Sequence, residues 1–254
     1  MILDLFKLDG KVAIVTGGTT GIGQGICIAL AEAGADIACV GSSDHFAETQ
    51  AGVERTGRRF LAIQADASRM ESIPRIVDST RAQFGHIDIL VNNAGIIRRT
   101  PCIDFSEKDW DDTLNLNLKV LFFLSQAVAR VFMEQGTGGK IINTASMLSY
   151  QGGILVPAYT AAKSGVAGVT KTMANEWAAK GINVNAIAPG YFATRATEAV
   201  QNDPVRNRSI LDRIPAGRWG VAADVGGMAV FLASRASDYC HGTVYAVDGG
   251  WLSR

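Results

Sequence analysis

Tyr159 and Lys163 stand four residues apart in a stretch with helical spacing, so they share one helix face, and Ser146 follows the β-branched run Lys140 to Thr144. A tyrosine titrates near pH 10 and is about one part in a thousand ionised at pH 7, so an unaided phenol is a poor base. An ammonium about 4 Å away, at an effective dielectric near 20, favours the phenolate by about 4 kcal/mol and brings the group toward working pH. Taken alone, a Tyr-x-x-x-Lys pair is more often a surface pair, and a single serine more often a turn or cap residue.

A second constellation lies near the start, where Thr16-Gly17-Gly18-Thr19-Thr20-Gly21-Ile22-Gly23 links an apolar run directly to a helical one. Glycines at a strand-to-helix turn let the backbone approach a pyrophosphate, whose charge is met by free N–H groups and the positive end of the helix. The spacing Gly17, Gly21, Gly23 departs from the usual G-x-G-x-x-G fingerprint, and a tight turn without ligand is the competing reading. Its position at the first strand-to-helix turn favours a dinucleotide.

These residues need a frame, and the chain alternates. Runs Lys11 to Thr16, Asp36 to Val40, Arg59 to Gln64, Ile87 to Asn92, Lys140 to Thr144, Ile182 to Ala188 and Gly242 to Val247 read as strands. Between them, Gly21 to Ala33, Met70 to Phe84, Trp110 to Gln135, Tyr159 to Lys180 and Ala222 to Leu232 read as helices. Ser106 is a plausible cap, and Gly34, Gly85, Gly136 and Gly181 mark helix ends. Repeated β-α-β order predicts a single-domain, doubly wound α/β fold with a parallel seven-stranded sheet and helices on both faces.

Composition narrows the function classes. The 254 residues are 48% hydrophobic and 19% charged, the mixture of a chain with a sizeable core. Twenty-four Lys plus Arg balance twenty-four Asp plus Glu, which leaves no excess charge for nucleic acid or anionic lipid. Cys27, Cys39, Cys102 and Cys240 form no C-x-x-C pair and His45, His86 and His241 are dispersed, so reduced thiols in a cytoplasmic protein are expected and no metal site. Met1 to Asp9 carries Asp4, Lys7 and Asp9 and is not expected to be an export signal. No uninterrupted apolar stretch approaches about 18 residues, so no membrane span is expected.

From Lys11 to Gly250 the motifs resemble the short-chain dehydrogenase/reductase family in its compact form. They are the glycine turn, Asp66 after the third strand, Asn92-Asn93-Ala94-Gly95 after the fourth, Asn117 in the long helix, Ser146, Tyr159, Lys163, and Pro189-Gly190 followed by Thr194. The resemblance implies that Tyr159 exchanges a proton with the reacting oxygen and that Ser146 orients that oxygen. It further implies that Lys163 lowers the tyrosine pKa and holds the nicotinamide ribose, and that Asn117 positions a proton-relaying water. It also implies a cofactor contacted by Gly17, Thr20, Gly21, Ile22, Gly23, Ser42, Asp66, Ala67, Asn93, Ala94, Gly95, Tyr159, Lys163, Pro189, Gly190 and Thr194. Residues 11–95 would then form the cofactor half and 96–254 the catalytic and lid half of one domain, in a homotetramer.

Three stretches, Phe105 to Asp112, Ile214 to Gly220 and Val247 to Trp251, are similar to the family's sugar-acid dehydrogenases of hexuronate and pectin breakdown, of the 2-deoxy-D-gluconate 3-dehydrogenase or 2-dehydro-3-deoxy-D-gluconate 5-dehydrogenase type. The predicted lid, Tyr191 to Gly220, holds Arg195, Arg206, Arg208, Arg213 and Arg218, and Arg98 and Arg99 follow Gly95. Ser146, Arg98, Arg99 and Arg195 are the candidate contacts to an anionic substrate, because arginine forks a carboxylate. Most of the arginines face water on the competing view. Alternatives are a gluconate 5-dehydrogenase, a 3-oxoacyl carrier-protein reductase, or a non-catalytic dinucleotide sensor. NAD is the expected cofactor: no Lys or Arg occurs from Gln24 through Glu54 to offset a 2′-phosphate, although Val40-Gly41-Ser42-Ser43-Asp44 lacks the usual acid after the second strand.

Overall fold

The computed structural model describes residues 1–254, Ala196 by its backbone only. Seven strands form one sheet, β1 (Val12–Thr16), β2 (Asp36–Gly41), β3 (Phe60–Gln64), β4 (Ile89–Asn92), β5 (Gly139–Thr144), β6 (Ile182–Pro189) and β7 (Val244–Val247). Their spatial order is β3-β2-β1-β4-β5-β6-β7 and every pairing is parallel. Every residue of β1, β2, β4 and β6 is buried, as strands covered on both faces require, which explains their mostly apolar or β-branched sequence, with Asp36, Asn92, Asn183 and Asn185 as buried polar exceptions. The order reverses between β1 and β4, the crevice where such sheets take ligands.

Helices cover both faces: α1 (Gly21–Glu32), α2 (Ala47–Glu54), α3 (Ser72–Phe84), α4 (Glu107–Leu114), α5 (Val120–Gln135), α6 (Pro157–Trp177), α7 (Glu198–Gln201), α8 (Pro204–Leu211) and α9 (Ala222–Ala233). One core layer joins β1, β4 and β5 to Ile76 of α3 and Leu124, Val128 and Phe132 of α5; the other joins the sheet to Ile26 and Leu30 of α1 and Ala229 and Leu232 of α9. Ser106 caps α4 by accepting the Asp109 N–H, and the predicted stops Gly34, Gly85, Gly136 and Gly181 all take positive φ.

The long predicted helix Trp110 to Gln135 is interrupted. Asn115–Lys119 forms a π-turn between α4 and α5, because Asn117 Nδ2 donates to the carbonyls of Thr113, at 2.8 Å, and of Ile96, at 2.9 Å. The whole run Glu107–Gln135 is long and apolar enough to cross a membrane by length and composition, but half of its most apolar window is buried inside the molecule, packed on the sheet as a core helix. The sequence reading also missed α2, α7 and α8. All four cysteines are free thiols, Cys27 and Cys39 buried and Cys102 exposed.

Candidate active site

The C-terminal ends of β1, β4, β5 and β6 open into one cavity of about 560 Å³. Ser146 follows β5, nearly buried, and its Oγ accepts the Leu148 N–H at 3.2 Å while capping the turn Met147–Ser149. Pro157 opens α6, placing Tyr159 in the first turn and Lys163 one turn later on the same face. Lys163 Nζ donates to the Thr144 carbonyl at 2.5 Å and lies 5.5 Å from the Tyr159 ring centroid. Asn117 lines the same cavity, and its buried Oδ1 has no partner among the described residues.

The electrostatics differ from the sequence expectation. Burial pushes the Tyr159 phenol above its ordinary range, and what draws it back is the Ser146 hydroxyl and the charge of Arg99 rather than Lys163. Burial also lowers Lys163 to about 8, and one of its three N–H donors goes to the Thr144 carbonyl. Desolvation thus acts on both groups, disfavouring the charged form of each, with the lysine held over the phenol ring.

The glycine turn lines the opposite end of the cavity with Gly17, Thr20, Gly21, Ile22 and Gly23. A Cβ at Gly23 would lie 2.1 Å from the Gly17 carbonyl oxygen, and Gly17 itself takes φ +64 with Ala94 Cα only 3.0 Å from where a Cβ would be. The turn is fastened to the next strand by Asn93, whose Nδ2 donates to the Thr16 and Gly17 carbonyls at 3.1 Å, and by the Asn93 and Ala94 N–H groups, which donate to Thr16 Oγ1. Gly95 lies across from Asn117 Oδ1, and Pro189, Gly190 and Thr194 complete this wall, with Thr194 methyl against Gly21. Ser42, Asp66 and Ala67 do not line the cavity: they sit at and beyond the ends of β2 and β3, and Asp66 accepts from Ser68 N–H and Oγ in its own turn.

The arginines sort by partner. Arg98 is not brought to the site: it lies 3.4 Å from Asp109 at the start of α4. Arg208 pairs with Asp212, Arg218 forks Asp224, and Arg213 stacks on Trp251 at 3.9 Å. Arg99, Arg195 and Arg206 line the cavity and have no carboxylate partner among the described residues. Sequence reasoning also missed the apolar wall of Met147, Val156, Val200, Ile210 and Trp219, which converge only through the fold and carry no local signal.

Comparison with known proteins places this geometry among relatives. The family model described as enoyl-(acyl carrier protein) reductase matches residues 17–252. The chain is 60% identical, over all of both chains, to the 2-dehydro-3-deoxy-D-gluconate 5-dehydrogenase of Escherichia coli K12. It is 58% identical to the enzyme of the same name from Bacillus subtilis 168, over 99% of this chain and 98% of that one. The crystal structure of a candidate 2-deoxy-D-gluconate 3-dehydrogenase from Agrobacterium tumefaciens with bound NADP superposes with a TM-score of 0.91, at 51% identity over 99% of this chain and 100% of that one. On the family-model match over residues 17–252 and on these full-length identities, the chain belongs to the short-chain dehydrogenase/reductase family.

Proposed function

We propose that this chain is a dinucleotide-dependent dehydrogenase that interconverts a secondary alcohol and a ketone on a deoxy sugar acid, of the 2-dehydro-3-deoxy-D-gluconate type. The observation that carries this reading is the single cavity that joins Ser146, Tyr159 and Lys163 to the unpaired Arg99, Arg195 and Arg206. A dinucleotide fits the other end, because Gly17 and Gly23 leave the backbone bare where any Cβ would collide, at the N-terminus of α1. Residues 11–95 are assigned to holding it and 96–254 to chemistry and the lid, with Ser42, Asp66 and Ala67 at the adenosine end.

When bound, the dinucleotide supplies the hydride acceptor or donor. Tyr159 and Ser146 hold the reacting oxygen by their hydroxyls, and Tyr159 takes or returns its proton. Lys163, over the Tyr159 ring, holds the ribose, and Asn117 Oδ1 is the free buried acceptor on which a proton path past Lys163 turns. Arg99, with Arg195 and Arg206, receives the carboxylate.

NAD is the proposed cofactor over NADP, by at least about tenfold in kcat/KM, since an unpaired buried phosphate readily costs the corresponding 1.4 kcal/mol or so. No Lys or Arg lies between Gln24 and Glu54, and Asp44 with neighbouring His45 ends the exposed stretch after β2. The Agrobacterium relative binds NADP, so both cofactors enter the test. The protein is assigned to the cytoplasm, as a homotetramer.

A spectrophotometric screen of purified protein with NAD and NADP against deoxy sugar acids, matching neutral polyols and acyl thioesters tests the reading. Turnover of a sugar acid, faster with NAD, supports it. Turnover of acyl thioesters alone overturns the substrate, and equal or better efficiency with NADP overturns the cofactor choice.

A further inference from the structure

Leu155 is, among the described residues, the one non-glycine with positive φ, at +66. For a leucine this left-handed backbone is strained and persists only where the surroundings over-determine it. Side-chain burial does not supply the reason, since Leu155 is 42% exposed and its neighbour Ile154 is 89% exposed. The backbone does: the turn aims the Leu155 carbonyl at the Thr100 N–H, which donates to it at 2.9 Å. That bond ties the segment leading into α6 to the segment leaving β4.

Arg99 lies directly before Thr100, and Arg98 before that is held to Asp109 at 3.4 Å. Arg99 is thus clamped on both sides, with its own side chain on the cavity and no carboxylate partner among the described residues. On the other side of the tie, Val156 is buried on the cavity wall, Pro157 starts α6, and Tyr159 follows four residues after Leu155. One strained turn therefore sets both ends of a span, the cation that meets an anion and the phenol that meets the reacting oxygen. The charge of Arg99 is already close enough to act on that phenol.

We propose that Leu155 is a positioning residue whose left-handed turn, through the Leu155 O to Thr100 N–H bond, fixes the Arg99–Tyr159 span and so selects how far from its carboxylate a sugar acid is oxidised or reduced. This rests on the reading of Arg99 as the carboxylate contact. The inference predicts that activity follows tolerance of positive φ at position 155, not side-chain size or hydrophobicity. Glycine and asparagine adopt that backbone readily, whereas a β-branched residue does so least.

The test compares Leu155→Gly, Leu155→Asn, Leu155→Ala and Leu155→Val, each with a deoxy sugar acid and with the matching neutral deoxyalditol. Leu155→Gly and Leu155→Asn are expected within about twofold of wild type. Leu155→Val is expected to lose about ten- to a hundredfold in kcat/KM on the acid, the scale of an ångström of misplacement, and much less on the neutral compound. NADH affinity, read by fluorescence, is unchanged throughout, and in an Arg99→Ala background Leu155→Val costs nothing more. Where Leu155→Val does not fold, the comparison of Ala with Gly decides in the same way, Ala being the poorer. Wild-type values for Leu155→Val, equal losses on acid and neutral substrates, or a fall of Leu155→Gly as large as that of Leu155→Val (or of Leu155→Ala in its place) each overturn the inference alone. Wild-type protein that turns over no sugar acid with either dinucleotide overturns the functional reading as well.

Discussion

Lys163 carries its ammonium where only 3% of the residue meets solvent, with one protein acceptor, the Thr144 carbonyl. Burial lowers its pKa from 10.5 to about 8, so between those values the unfolded chain binds more protons than the folded one. Stability gained from neutralising Lys163 therefore grows as pH rises from about 8 to 10.5, and below 8 the charged lysine costs up to about 3 kcal/mol. Lys163→Met is expected to raise the Tm of the ligand-free protein at pH 7, with the gap closing toward pH 10.5, while turnover collapses. A lower Tm at pH 7 would show that the Thr144 bond outweighs burial. Tyr159→Phe removes the proton carrier without touching that balance: turnover should fall at least about a hundredfold while fold and dinucleotide affinity hold. Near-normal turnover would remove Tyr159 from its proposed role.

At the scale of elements, the glycine turn between β1 and α1 is a backbone device. Gly23→Ala drives a Cβ to 2.1 Å from the Gly17 carbonyl, so the turn must open where the dinucleotide is proposed to lie. A rise of at least about tenfold in the Kd for NADH is expected, against little change for Gly152→Ala, whose Cβ meets nothing within 4 Å. Equal affinities would show that the turn does not hold the cofactor. Such turns and the buried strands are legible in sequence because their constraints are local: an apolar or β-branched run for β1 and for Ile37 to Val40 of β2, and a positive-φ glycine at or just beyond the ends of α1, α3, α5 and α6. Helix α2 is not, since its buried residues are Thr49, Gly52 and Val53, and α8 buries Ile210 alone, so neither shows an apolar stripe. The π-turn at Asn117 is hidden for another reason, because the carbonyl that helps hold it, Ile96 O, is 21 residues away. The sorting of the arginines is equally non-local: Arg98 and Arg99 are adjacent in the chain, and only the position of Asp109 sends one out of the site and leaves the other in it.

Across the whole molecule, both faces of the sheet are covered, yet the covering helices keep an outer surface that one chain does not bury. Phe122 and Phe123 of α5 stack edge to face at 5.3 Å and are only partly covered, and Trp110 and Met133 are 39% and 38% exposed. On α6 the exposed Gly168 has open space around it, so a side chain there disturbs nothing within the protomer. The proposed homotetramer places these faces against neighbouring copies, where area is lost to water in proportion to its apolar content. Light scattering on the purified protein is then expected to give four times the 26.9 kDa chain mass. Gly168→Arg separates assembly from folding: the protomer accommodates the side chain in open space, whereas an α6 face closed against a copy must exclude a desolvated guanidinium. The variant should keep the wild-type circular dichroism while its mass falls to that of a dimer or monomer. A wild-type protein of single-chain mass, or an unchanged tetramer in Gly168→Arg, would place the interface elsewhere or remove it.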